Sequence, residues 1–120
     1  MAFETSTALG SVALGRGEQV LAARRLTRPR SHAAEFLPAI EALCRENGVA
    51  PKAIREVYVS SGPGSFTGLR IGLATAKGLA FGARAALVPV STLEVLAWQA
   101  PTRDARVLPL RAGSVDVVTS

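Results

Sequence analysis

The residues with the most chemical potential lie in one block, Ser60 to Gly82, SSGPGSFTGLRIGLATAKGLAFG. Behind the apolar run Val57, Tyr58 and Val59, which predicts a buried strand, the chain breaks into serine, glycine and proline over Ser60–Thr67 and then enters a helix. Pro63 fixes its own φ and biases Gly62 towards extended backbone, while Gly62 and Gly64 permit geometry that a β-carbon forbids. Thr67 stands where an N-cap is expected. A strand, a glycine loop and a helix N-terminus together can hold an anion, because free N–H groups and the helix dipole point the same way. The hydroxyl-rich turn Thr5, Ser6 and Thr7 can contact a phosphate or simply turn the chain. The candidate nucleotide or anion set is therefore Thr5, Ser6, Gly62, Gly64 and Ser65. The loop is no P-loop, since no Gly-Lys-Ser/Thr follows, and it matches neither the dinucleotide fingerprint nor the nucleophile elbow around Ser65. A tight structural turn that binds nothing accounts for the same residues equally well.

The helix behind the loop poses a second question. Leu69, Leu73, Ala76 and Ala80 form a stripe at helical spacing, and Gly68, Gly72 and Ala76 leave a shallow groove. Gly72 and Gly78 should each cost roughly 1 kcal/mol relative to alanine, so something must offset them. Close approach of another backbone does so, supplied either by the sheet of the same chain or by a partner helix.

Length and composition frame the elements that must position these residues. A chain of 120 residues suits one domain with an ordinary core, and 48% apolar content argues against disorder. The single cysteine, Cys44, excludes an internal disulfide and falls on an apolar helix face, where a buried thiol is expected. No apolar run reaches the length of a membrane span and the N-terminus lacks a signal-peptide pattern, so the expected location is cytoplasmic. The formal charge is +5, with twelve arginines and only Lys52 and Lys77 as lysines. The densest group, Arg24, Arg25, Arg28 and Arg30, lacks aromatic neighbours for base stacking and reads as a solvated basic edge or as an RNA contact.

In chain order, Met1–Thr5 predicts a short strand, and Ser11–Leu14 and Gln19–Leu26 predict a hairpin about Gly15, Arg16 and Gly17. Pro29 ends that meander. Ser31 can cap a helix whose apolar face is Phe36, Leu37, Ile40, Leu43 and Cys44, closed by Gly48, with Pro51 beyond. After the central block, Ala85–Val90 predicts another buried strand, Ser91 or Thr92 begins a helix to Trp98, and Arg106–Leu110 predicts a further strand. Arg111–Ser120 shows no firm pattern. The order βββαβαβ defines the α/β class, a ribonuclease-H-like, actin-like lobe with a mixed sheet of about five strands and helices packed on it.

FETST, SVALG, SHAAEFLPAI and SSGPGSFTGLRIGLATAKGLA, from about Ala2 to Trp98, resemble the bacterial TsaB (YeaZ) family, with GPGSFTGLRIG the most specific segment. The resemblance implies an accessory, non-catalytic subunit of the machinery that makes threonylcarbamoyladenosine beside the tRNA anticodon. It implies pairing with a TsaD-type catalytic subunit, a TsaE-type ATPase as third member, a homodimer when alone, and contact with tRNA only through the complex. Pairing runs through first-lobe helices, here Leu69–Phe81 and Ala33–Arg45. The implied interface is Gly68, Leu69, Gly72, Leu73, Thr75, Ala76, Leu79 and Ala80. The family continues into a second lobe, so residues 1–102 are expected to form the first lobe and 103–120 the start of a missing or altered second one. No cofactor is expected on this chain alone, with ATP or ADP and Mg possible in the assembled complex.

The residues themselves agree with the absence of catalysis. The lone His32 excludes a histidine pair for a metal, and no Cys-His or Ser-His-Asp set has workable spacing, so no catalytic and no metal residue is assigned. Two other readings stay open. One is a nucleotide-dependent phosphotransferase half of the actin-like superfamily, with Glu4 as the acid of the first strand. The other is a basic RNA-binding module.

Overall fold

Alternation of large apolar and smaller or polar residues decides which way each strand faces. Phe3, Val12, Leu14, Val57 and Val59 are buried on one side, whereas Glu4, Ser11, Ala13, Glu56 and Tyr58 are half-buried or exposed. The strands are β1 (Ala2–Glu4), β2 (Ser11–Arg16), β3 (Gln19–Arg25), β4 (Glu56–Ser60) and β5 (Ala86–Val90). In the computed structural model they form one five-stranded sheet in the order β3-β2-β1-β4-β5. The structure describes residues 1–6, 10–26, 32–99, 105–111 and 114–119, with the backbone alone given for 32–33, 98–99 and the last two stretches.

The sheet is mixed. β1 runs antiparallel to β2, with Phe3 opposite Val12, and parallel to β4, with Phe3 opposite Val59. β4 and β5 are parallel, with Tyr58 opposite Val88. The β2–β3 hairpin turns at Gly17, whose φ of 59° suits glycine, and carries an irregularity between Leu14 and Gly15. Tyr58 reaches the exposed side of its strand and donates from its hydroxyl to Glu56, so β4 is buried on one face only.

Two helices cover the apolar face. From α1 (His32–Glu46), Phe36, Ile40, Leu43 and Cys44 enter the core, and the Phe36 ring meets Phe3 edge-on at 5.5 Å. Leu37 departs from the expected face: it is 62% exposed, because the apolar arc is wider than the part the sheet covers. Cys44 is buried as expected. Past the helix end, Gly48 takes φ 64° and the Val49 N–H donates to the Cys44 carbonyl at 2.9 Å. Pro51–Ala53 then forms a short 3-10 turn, which the sequence did not suggest. The second covering helix is α2 (Phe66–Ala83), which lays Ala76, Ala80 and Ala83 on the core.

β5 is an edge strand, not a strand buried on both faces. Ala86 and Pro89 are exposed and its other residues half-buried, and an edge position is where proline is tolerated. α3 (Thr92–Gln99) follows, and then β6 (Ala105–Arg111). β6 pairs antiparallel with β7 (Ser114–Thr119), a strand the sequence reading missed, and the two make a separate sheet that does not extend the first. The Pro29 break, the Ser31 cap, Thr7, Arg28, Arg30 and the expected 102/103 boundary lie outside the described residues, as does the His32 side chain.

Candidate functional site

The end of β1, the β4–α2 loop and the start of α3 meet at the glycine-rich loop. The Ser65 N–H donates to the Ser6 carbonyl at 2.7 Å, the Thr92 N–H to the Gly62 carbonyl at 3.0 Å, and the Ser61 N–H to the Val90 carbonyl at 2.9 Å. The Thr5 N–H donates to Ser60 Oγ at 3.1 Å. Gly62 sits at φ 110°, a conformation open to glycine, ahead of a cis bond to Pro63. That is not the extended backbone expected before a proline. At Gly64 a β-carbon would lie 2.7 Å from the Ser6 carbonyl oxygen and 2.9 Å from its Cα, so the residue is glycine because Ser6 fills that space.

The helix begins one residue after Ser65, whose Oγ accepts from the Gly68 N–H at 3.2 Å. Ser65 is therefore the N-cap, and Thr67 lies exposed inside the first turn, contrary to expectation. The N–H groups of Ser61, Ser65 and Gly68 are thus engaged within the chain. Glu4, the acid of the first strand, accepts from both the Ser6 N–H, at 2.7 Å, and the Ser6 hydroxyl. Among the described residues no three His, Cys, Asp or Glu side chains come together as a metal site. Thr5, Ser6, Gly62, Gly64 and Ser65 are brought together, but as parts of a clasp closed on itself.

α2 resolves the question of its glycines. Gly68, Gly72, Ala76, Ala80 and Ala83 are buried. A β-carbon on Gly72 would overlap Thr5 Oγ1 and lie 2.7 Å from Thr5 Cγ2. The close neighbour that makes Gly72 necessary is the side chain of Thr5, the residue that follows this chain's own β1, which corrects the expectation of a partner backbone there. Gly78, by contrast, has nothing within 4 Å of its would-be β-carbon. Thr5 Oγ1, fully buried against Gly72, has no hydrogen-bond partner among the described residues.

The expected interface set therefore divides. Gly68, Gly72, Ala76 and Ala80 turn inward. Leu69, Thr75 and Leu79 are half-buried, with the Thr75 hydroxyl donating to the Ile71 carbonyl at 2.8 Å, and Leu73 is exposed. Sequence reasoning missed Phe66, 72% exposed, and Phe81, 89% exposed, which stand on the outer face of the same helix. The available signal was the place of Phe81 opposite the small-residue stripe. Between α1 and α2 runs an open groove of about 580 Å³, lined by Phe36, Leu37, Ile40, Ile71, Ala74, Thr75, Gly78 and Leu79. Arg70 and Lys77 are exposed on α2 and Arg84 just past its end, and the Arg70 guanidinium lies 5.3 Å from the Phe66 ring centre. Of the basic group on the hairpin, Arg24 forms a two-pronged pair with Glu46, both contacts at 2.9 Å. No helix among the described residues is long and apolar enough to cross a membrane.

Sheet order and helix placement define an actin-like lobe. The family model for TsaD, tRNA N6-adenosine threonylcarbamoyltransferase, matches residues 21–119. The tRNA threonylcarbamoyladenosine biosynthesis protein TsaB of Escherichia coli is 39% identical over 97 residues, 81% of this chain and 42% of that one. TsaB of Bacillus subtilis is 33% identical over 110 residues, 92% of this chain and 48% of its own. The solved structure of YeaZ from Pseudomonas aeruginosa superposes with a TM-score of 0.79 at 32% identity, covering 99% of this chain and 63% of that one. The chain belongs to this family, as a member of its TsaB (YeaZ) group. It spans about half the length of the curated relatives it matches.

Proposed function

We propose that this chain is a non-catalytic partner subunit in the making of threonylcarbamoyladenosine on tRNA, acting in the cytoplasm. It docks a TsaD-type catalytic subunit through the outer face of α2 and the adjoining groove of α1. A TsaE-type ATPase joins the assembly, and tRNA is reached through the complex. Without its partner, the same face pairs two copies of the chain. Any nucleotide and magnesium belong to the assembled complex. The observation that carries this reading is the exposure of Phe66, Leu73 and Phe81 on the outer side of α2, and of Leu37 in the groove on its α1 side, while the small residues of α2 face the sheet. Large apolar side chains grouped on a helix face mark an association surface. Names carried by the relatives supply the pathway.

The test is the mass of the chain in solution, alone and mixed with a TsaD-type subunit. A stable one-to-one complex is expected, weakened tenfold or more by Phe81→Asp with the melting temperature unchanged. Undiminished binding by that variant rejects the α2 face as the interface.

A further inference from the structure

α2 carries Arg70 and Lys77 seven residues apart and no acid along its length, and Arg84, seven residues further, is the left-handed residue that caps its C-terminus. Helical geometry places Arg70 and Lys77 within about 20° of one another around the axis and about 10.5 Å apart along it, with Arg84 following at the helix end. All three are exposed, and Arg70 and Lys77 share the sector of Phe66, Leu73 and Phe81. Among the described residues, neither Lys77 nor Arg84 has a carboxylate partner, and Arg70 rests over Phe66.

We propose that this stripe makes the α2 face charge-selective: its occupant is a protein surface with an apolar strip lined by acids at matching seven-residue spacing, favoured over a second copy of this chain. The inference rests on the docking through α2 argued above and adds the chemistry of the partner. Two copies meeting symmetrically through the stripe oppose like charges in either orientation. Side by side, each cation meets its own equivalent. Head to tail about Lys77, Arg70 meets Arg84 and Lys77 meets Lys77. Apolar contact between copies is therefore resisted by repulsion that grows as water leaves, whereas an acidic partner turns each opposition into attraction. A nucleic-acid backbone also carries negative charge, but it would leave Leu73 and Phe81 wet, and these residues favour a protein occupant.

Salt separates the two pairings. Raising ionic strength is expected to weaken binding to a TsaD-type subunit and to strengthen self-association. The triple variant Arg70→Glu, Lys77→Glu, Arg84→Glu should bind that subunit at least tenfold more weakly at low salt. Mixed with the unaltered chain, it should form a mixed pair at least tenfold tighter than either chain forms with itself. Arg70→Gln with Lys77→Gln leaves the helix end untouched and should give about threefold weaker binding to the subunit, while Lys77→Arg alone, which keeps the charge, should leave binding unchanged. If Phe81→Asp abolishes binding and the charge variants do not alter it, the charge rule falls and the docking face stands. If neither alters binding, both fall. If the charge variants lose affinity for tRNA while holding the protein partner unchanged, the stripe serves RNA and the proposal is overturned.

Discussion

Gly72 and Gly78 occupy the same helix six residues apart and answer to opposite physics. At Gly72 an added methyl would run into Thr5, and overpacking of this kind costs about 1–3 kcal/mol, more than the roughly 1 kcal/mol that alanine gains in helix propensity. At Gly78 the space is open and only the propensity gain remains. Urea unfolding should therefore show Gly72→Ala less stable than the parent chain and Gly78→Ala more stable by about 0.5–1 kcal/mol. Equal shifts in the two variants would contradict the packing of Thr5 on Gly72. A run of glycines and alanines at helical spacing announces that a backbone comes close, but not whose. That is why the inward role of Gly72 was illegible in the sequence. The outward role of Phe81 was hidden for the complementary reason, since a large apolar residue on a helix is ordinarily read as core.

Burial raises the Cys44 thiol above its ordinary value of 9.0. The neutral thiol is favoured in the folded chain, so its contribution to stability is complete below about pH 9 and is lost as pH rises through the raised value. Denaturation followed from pH 8 to 11 should show this alkaline decline, and Cys44→Ala should flatten it. The alanine variant should be about 1 kcal/mol less stable at neutral pH. An unchanged alkaline slope would mean that the thiol is solvated in the fold.

Among elements, α2 depends most on how it starts. Its cap is Ser65, so Ser65→Ala should cost about 1 kcal/mol of stability and Thr67→Ala only a few tenths. The reverse order in thermal melts would restore Thr67 as the cap. The two hydroxyls stand two residues apart, and nothing local distinguishes them. The choice is made by the bond from the Ser65 N–H to Ser6, which lies far away in the sequence. Elements with a clean period were legible: the hairpin, α1 through Phe36, Ile40 and Leu43, and the alternation that turns Val57 and Val59 inward. β7 escaped because its alternation rests on Val115 and Val117 alone, with Val118 breaking the pattern.

At the scale of the molecule, one face is settled and another is open. The sheet and the inner faces of α1 and α2 form a single core, and Phe81 and Leu37 lie outside it. The association test above belongs to this scale: Phe81→Asp should change the mass of the complex without changing the fold, because the side chain is almost wholly in solvent. A fall in melting temperature would instead return Phe81 to the core. Fold class and family were readable from element order and from GPGSFTGLRIG. Which surface remains uncovered was not, because that depends on the tilt at which two helices lie on the sheet.

The clasp at Gly62–Ser65 also restricts where the chain can change in length. Its carbonyl at Gly62 accepts from the Thr92 N–H on one side, and its N–H at Ser65 donates to the Ser6 carbonyl on the other. One extra residue between them would leave no register that serves both anchors, and a thermal melt of such an insertion should show a marked loss of stability. Lengthening is accommodated instead at the Gly17 tip, where a β-carbon on the glycine would meet nothing within 4 Å.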